Sequence, residues 1–259
     1  MGIEDCPHCN GTGWISSDRD GLAIAERCSC VEAERVENLG ERARIPPNFV
    51  NASFDTFVLP KRELNPTAHR GLADVMLAVS AYARNYPNNA KPGLLLAGAP
   101  GTGKTHLAVA VLRLLLERGH EGVFFDYQNL LERIRAGYNE TLGTSNREAY
   151  VSALETEILL LDDLGAHRVT DWVEDTVTAI VTHRYNQRKA LIATTNLLDA
   201  EMGGLGEKAQ GGTPAYKITL EERIGERARS RLFEMCKVIR MPAIDDYRIR
   251  RGRDAGVYR

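Results

Sequence analysis

"LLLAGAPGTGKTHLAVAVLRLLL", Leu94 to Leu116, is the stretch on which the reading of this chain turns. Gly98, Gly103, Lys104 and Thr105 complete the pattern G-x-x-x-x-G-K-[ST], with a further glycine at Gly101. The apolar run before the glycines predicts a short buried strand, and the apolar-periodic run after them a helix. A strand entering a glycine-rich turn that opens a helix is the context a phosphate-binding loop requires. The glycines let backbone N–H groups converge on phosphate oxygens, and the helix N-terminus adds its partial positive charge. The stretch therefore predicts nucleotide contacts at Gly98, Pro100, Gly101, Thr102, Gly103, Lys104, Thr105 and His106. Lys104 is expected to reach the β and γ phosphates of ATP, and the Thr105 hydroxyl to ligate Mg²⁺.

Downstream, the pattern alternates. "GVFFDY" reads as a strand and "QNLLERIRAGY" as an amphipathic helix. "EILLLDDLG" is a second strand, "DWVEDTVTAIVTHRYNQR" a helix and "ALIATTN" a third strand. Such alternation predicts a parallel sheet covered by helices on both faces. "ILLLDDLG" sets Asp162 and Asp163 at the end of an apolar strand, where a phosphate-loop protein needs its second group of carboxylates. Asp162 is expected to hold Mg²⁺, directly or through water, and Asp163 to polarise the attacking water. Asp163 stands where many such ATPases carry Glu, and the shorter arm predicts slow turnover. "IATTN" places Asn196 to sense the γ-phosphate, with Thr195 as the alternative.

The first thirty residues follow another logic. Four of the five cysteines fall there, as "CPHC" (Cys6, Cys9) and "CSC" (Cys28, Cys30). Two tight pairs separated by a short loop match thiolate ligation of Zn²⁺, a closed and hence structural site. "GTGW" after the first pair permits the turn of a zinc knuckle. His8 is the alternative ligand, and a redox pair the alternative chemistry. Cys236, in "LFEMCKVIRM", reads as a small core residue.

Composition excludes more than it selects. The 259 residues are 43% hydrophobic and 26% charged, ordinary globular usage, and the net charge is −2, so any nucleic-acid contact must be a local patch. The apolar runs fall short of the ~18 residues that span a bilayer. Glu4, Asp5 and the early cysteines do not form a secretory leader, so a cytoplasmic, reduced protein of bacterial or phage type is expected. The expected organisation is a zinc-binding module over 1–43, a connector over 44–66, and a nucleotide-binding domain over 67–259. In the connector, "IPPNFVNASFDTF" has prolines that bar a continuous helix and offers Phe49, Phe54 and Phe57 as docking anchors.

In order, "IPPNFVNASFDTF", "GAPGTGKTHLA", "LLLDDLG", "IATTN", "IGERARSRLFEMC" and the terminal "DYR" resemble the AAA+ ATPases of the DnaC/DnaI/IstB family across residues 44–259. The N-terminal cysteines resemble the zinc-bearing, helicase-binding domain of DnaI-type loaders. The resemblance implies an α/β fold of AAA+ type with a reduced C-terminal lid, preceded by a small zinc-binding domain. It assigns Arg231 as an arginine finger into a neighbouring subunit's ATP site, Arg227 as a second arginine of that helix, and Arg248 as the sensor 2 residue of its own site. A solvated basic helix is the plain alternative for 221–231, where Glu and Arg alternate.

As function, the resemblance implies Mg²⁺-dependent ATP hydrolysis coupled to self-association into a ring or spiral. That assembly would load a hexameric replicative DNA helicase onto single-stranded DNA. The alternative is an IstB-like helper of a transposase. "QNLLERIRAGYNE" offers Arg133, Arg135 and Tyr138 for single-stranded DNA, by phosphate contact and stacking. An ordinary amphipathic helix with Leu130, Leu131 and Ile134 in the core explains much of the same pattern.

Overall fold

The structure, a computed structural model, describes residues 5–19, 22–137, 145–199, 218–244 and 246–247. Two strands, β1 (Trp14–Arg19) and β2 (Leu22–Arg27), form an antiparallel pair with Trp14 opposite Arg27. They occupy the interval between the cysteine pairs that the sequence reading treats as a loop. Helix α1 (Ser29–Arg42) follows directly. The connector makes one 3₁₀ turn, Pro47–Phe49, before helix α2 (Pro66–Asn85). Asn65 caps α2 by accepting from the Ala68 N–H (2.9 Å), and Pro66 opens its first turn.

The remaining elements are β3 (Gly93–Ala97), α3 (Lys104–Glu117), β4 (Gly122–Asp126), α4 (Tyr127–Ala136), α5 (Ser145–Glu155), β5 (Ile158–Asp162), α6 (Asp171–Asn186), β6 (Ala190–Thr195), α7 (Glu221–Ile224), α8 (Glu226–Met235) and β7 (Cys236–Arg240). Strands β3 to β7 form a parallel sheet in the order β4-β5-β6-β3-β7. Helix α5 goes beyond the sequence reading. Its buried positions are Ala149 and Ala153, too small to register as an apolar stripe.

Successive strand residues face opposite ways, and both faces are covered, which is why these strands read as unbroken apolar runs. Leu94 and Leu96 pack with Val75, Val79, Leu107 and Val111 of α2 and α3 on one side. Leu95, Leu159 and Leu191 pack with Ile134, Val177, Ile180 and Leu232 on the other. Cys236 is fully buried, as its apolar setting predicts.

The N-terminal segment does not stand apart from this core. Leu39 and Ala43 belong to the α2–α3 side, and the Ala43 carbonyl accepts from the Phe124 N–H (2.7 Å), covering the outer edge of β4. Arg35 donates to the Gly119 carbonyl (3.1 Å). Phe49, Phe54 and Phe57 pack against the same core, so the connector is docked.

Because all five strands run the same way, the C-terminal ends of β3, β5 and β6 lie side by side. Those ends carry the phosphate loop, the two aspartates and "TTN". The sequence hints at each segment separately; the parallel register brings them to one place.

Candidate nucleotide site

The phosphate loop leaves β3 with the Gly98 N–H bonded to the Thr195 carbonyl (3.1 Å) and is braced inside by Thr102 Oγ1 donating to Ala99 O (2.9 Å). Gly101 (φ +71°) and Gly103 (φ +93°) take left-handed conformations that favour glycine. Close neighbours tighten the requirement: a Cβ on Gly101 would enter the Asp246 carboxylate, and one on Gly103 the Phe57 ring. The Tyr247 N–H also bonds the Gly101 carbonyl (3.0 Å), so the segment after β7 and the connector both line the loop. Pro100, beside these glycines, is exposed. His106 Nε2 donates to the Ser53 carbonyl (2.9 Å), tying α3 to the connector.

Lys104 is almost buried, 5% exposed, and its ammonium donates to Gly98 O (2.9 Å), Ala99 O (2.8 Å) and Asn196 Oδ1 (2.7 Å). Thr105 Oγ1 donates to Asp162 Oδ1 (2.9 Å) and approaches Oδ2 (3.2 Å). Burial pushes the Asp162 carboxyl above the usual carboxylate range, opposed by the hydroxyls of Thr194 and Thr105 and reinforced by the neighbouring Asp163. A buried carboxylate already facing the loop's hydroxyl is a hard oxygen site of the kind Mg²⁺ takes. Asn196 Nδ2 donates to Asp163 Oδ1 (2.8 Å), so this one amide touches both Lys104 and Asp163. Thr195, the alternative, is fully buried with its hydroxyl on Leu164 O (2.9 Å) and is turned away from this network.

Thr194 is the member of the network that sequence reading misses. Its hydroxyl donates to Asp162 Oδ1 (2.6 Å) and accepts the Asp163 N–H (3.0 Å). Its signal is slight: a hydroxyl residue at the end of an otherwise apolar strand, two places before Asn196.

The arginine helix is less uniform than its alternating charges suggest. Arg229 makes a two-point pair with the buried Asp199 (2.8 and 2.5 Å), so this position is a packed ion pair and not part of a solvated face. Arg231 donates to the Arg227 carbonyl on its own helix (3.1 Å), and Arg227 is exposed. Arg248 lies outside the described residues, as does Tyr138. On α4, Leu130, Leu131 and Ile134 are buried, and the Arg135 guanidinium lies 6.0 Å from the Trp172 ring centre. Arg133 is half-buried.

The four N-terminal thiols converge. The Sγ atoms of Cys6, Cys9, Cys28 and Cys30 all lie within 4.8 Å of one another, with Cys6–Cys28 at 3.7 Å and Cys9–Cys30 at 3.5 Å. Zn–S bonds of about 2.3 Å in a tetrahedron give S···S edges of about 3.8 Å, so the cluster fits Zn²⁺. Left-handed residues Asn10, Gly11 and Gly13 form the knuckle. The backbone N–H groups of His8 and Cys9 hold the Cys6 thiol down at about 6, in the thiolate form metals bind. His8 itself is exposed and outside the cluster.

A five-stranded parallel sheet in this order, with the phosphate loop leaving one inner strand and the carboxylates another, is the ATP-binding fold of the AAA+ class. Within it, the chain belongs to the family of IstB-like ATP binding proteins, whose family model matches residues 70–205. YqaM of Bacillus subtilis is 24% identical over 82% of this chain and 61% of its own length, so the chain spans less than two thirds of that relative. The replicative helicase loader DnaC of Buchnera aphidicola is 24% identical over 84% of this chain and 76% of its own length. The crystal structure of the DnaC helicase loader superposes with a TM-score of 0.59 at 28% identity, covering 76% of this chain and all of that one. Among the described residues, no helix is long and apolar enough to cross a membrane.

Proposed function

We propose that this chain is an ATP-dependent loader that places a hexameric replicative helicase on single-stranded DNA, its hydrolysis coupled to self-association. The observation that carries this reading is the match to a replicative helicase loader along 84% of the chain, beyond the ATP-binding core. A cysteine cluster suited to Zn²⁺ precedes that core, and the hairpin between the cysteine pairs presents Trp14 (52% exposed) and Leu22 (71% exposed) to a partner.

In this reading the phosphates of ATP replace the loop carbonyls and Asn196 as partners of Lys104. Asp162 and Thr105 would hold Mg²⁺, which would supply positive charge to the triphosphate. Asp163 orients the attacking water, and Asn196, which the phosphates release from Lys104 while it still donates to Asp163, couples phosphate occupancy to that orientation. Arg231 on α8 supplies positive charge to a neighbouring subunit's site, and Arg248 to its own. The short Asp163 side chain makes the reaction slow. The four cysteines hold Zn²⁺ as a structural ion.

The match to an IstB-like model favours a second reading, an ATP-dependent DNA-binding helper of a transposase. Light scattering on mixtures with the host's replicative helicase, with and without ATP, separates the two. A stable complex that weakens in a Trp14→Ser, Leu22→Ser double variant is the loader outcome. ATP-dependent filaments on duplex DNA, with no helicase complex, are the helper outcome.

A further inference from the structure

Three bonds from two adjacent residues of β6 hold the turn that carries the aspartates. The Thr194 carbonyl accepts the Leu164 N–H (2.8 Å), the Thr194 hydroxyl accepts the Asp163 N–H (3.0 Å), and the Thr195 hydroxyl donates to the Leu164 carbonyl (2.9 Å). The turn needs holding because Asp163 sits at φ +55°, a left-handed conformation uncommon outside glycine. The Thr194 hydroxyl has one proton, and that proton goes to Asp162 Oδ1 (2.6 Å). Asp162 Oδ1 thus takes two hydroxyls, from Thr194 and Thr105, while Oδ2 has only the longer approach of Thr105 (3.2 Å) among these bonds. Thr194 is fully buried on the strand between the loop strand β3 and the carboxylate strand β5, opposite Leu96.

We infer that Thr194 is a positioning residue for the metal and water side of this site: one hydroxyl fixes the Asp162 carboxylate with Oδ2 left for Mg²⁺ and fixes the Asp163 backbone from which water is oriented. The inference rests on the proposed ATPase chemistry. It distinguishes the two halves of the site, since the Thr194 hydroxyl bonds directly to Asp162 and Asp163 and reaches the loop only indirectly, Thr105 through Asp162 and Lys104 through Asp163 and Asn196.

Thr194→Val is the informative variant. It keeps shape, strand propensity and the carbonyl bond to Leu164, and it removes both hydroxyl bonds. Thr194→Ser restores the hydroxyl. Affinity for the fluorescent analogue mant-ATP is measured in EDTA and across a Mg²⁺ titration, with ATP turnover over the same Mg²⁺ range and thermal unfolding of each protein. Thr194→Val is expected to match wild type in EDTA within about 3-fold, to need roughly 10-fold more Mg²⁺ for half-maximal binding and turnover, and to have a lower kcat. These are the effects typical of removing an outer-shell partner of a metal ligand. Thr194→Ser is expected to recover the wild-type Mg²⁺ dependence.

An unchanged Mg²⁺ dependence and kcat in Thr194→Val would overturn the inference. So would an equal loss of affinity in EDTA, or a serine variant as impaired as valine. A valine variant that fails to fold while serine folds would make the hydroxyl a structural group and would overturn it too. A wild-type protein that neither binds nor hydrolyses ATP would remove the ATPase reading and the inference with it. Wild-type turnover with an unaffected valine variant would remove the inference alone.

Discussion

Lys104 and Asp162 show how single residues at this site are caught between stability and chemistry. Lys104 sets its ammonium on two loop carbonyls and Asn196. Lys104→Ala should therefore leave a folded protein with ATP affinity weakened roughly 100-fold, the scale of a lost charge-assisted bond of ~3 kcal/mol. Calorimetric titration checks this, and unchanged affinity would contradict the assignment. Asp162 carries the opposite tension: burial raises its carboxyl above the ordinary range, so the native state holds the proton more tightly than the unfolded chain. Stability from this group is lost as pH rises from the usual carboxylate range through its raised native value. Asp162→Asn should then unfold at a higher temperature than wild type at neutral pH in EDTA, the gap closing as pH falls below about 4. Its Mg²⁺-dependent binding should be gone. A variant less stable at pH 7 would show that the two hydroxyl bonds outweigh desolvation.

At the level of elements, the end of the sheet away from the nucleotide is held by one side chain. Arg184 of α6 is fully buried and donates to the carbonyls of Ala153, Leu154, Thr156, Glu157 and Ala190. It thereby closes the end of α5, the entry to β5 and the start of β6. Burial lowers its guanidinium to about 10, still charged at neutral pH. Lysine cannot reproduce five bonds with a planar fork, so Arg184→Lys should cost on the order of 3 kcal/mol, from carbonyls left unpaired. Denaturant unfolding measures the loss. Metal-free mant-ATP affinity just below the transition should be unchanged, since Lys104 lies at the other end of the sheet. Its sequence context, "IVTHRYNQR", reads as the polar end of a helix, because the five acceptors are backbone atoms that no residue pattern announces.

For the whole molecule, the cysteine cluster and the sheet are linked through α1. Cys28 and Cys30 sit at its N-terminus, and Ala43, just past its C-terminus, bonds to β4. The purified protein should carry about one zinc per chain, and chelation should expose the four thiols while leaving the sheet folded. Mass spectrometry under native conditions and thiol titration read both, and a metal-free protein with an ordered hairpin would speak against the zinc site. Arg231 tests assembly: Arg231→Ala should keep ATP binding within about 3-fold and lose the rate gained on self-association, an effect of roughly 1000-fold or more where an arginine finger acts. Full stimulated turnover in that variant would refute the finger role.

The strand and helix alternation, the phosphate loop, the paired aspartates and the cysteine pairs were legible from residue types, because each is a local pattern with its own physical cause. Period and apolarity set the strands, glycine spacing sets the loop, and paired thiols suit a metal. What joins them was decided in three dimensions. The order β4-β5-β6-β3-β7 sets β6 between the loop strand and the carboxylate strand, so that Asn196 meets both Lys104 and Asp163, and Thr194 meets both aspartates. Likewise, Asp199 and Arg229, thirty positions apart, become a buried ion pair. These contacts depend on strand order and register, which arise from packing the whole sheet between its helices. A linear pattern carries the polar groups of the site; only the packed sheet decides which of them share a hydrogen bond.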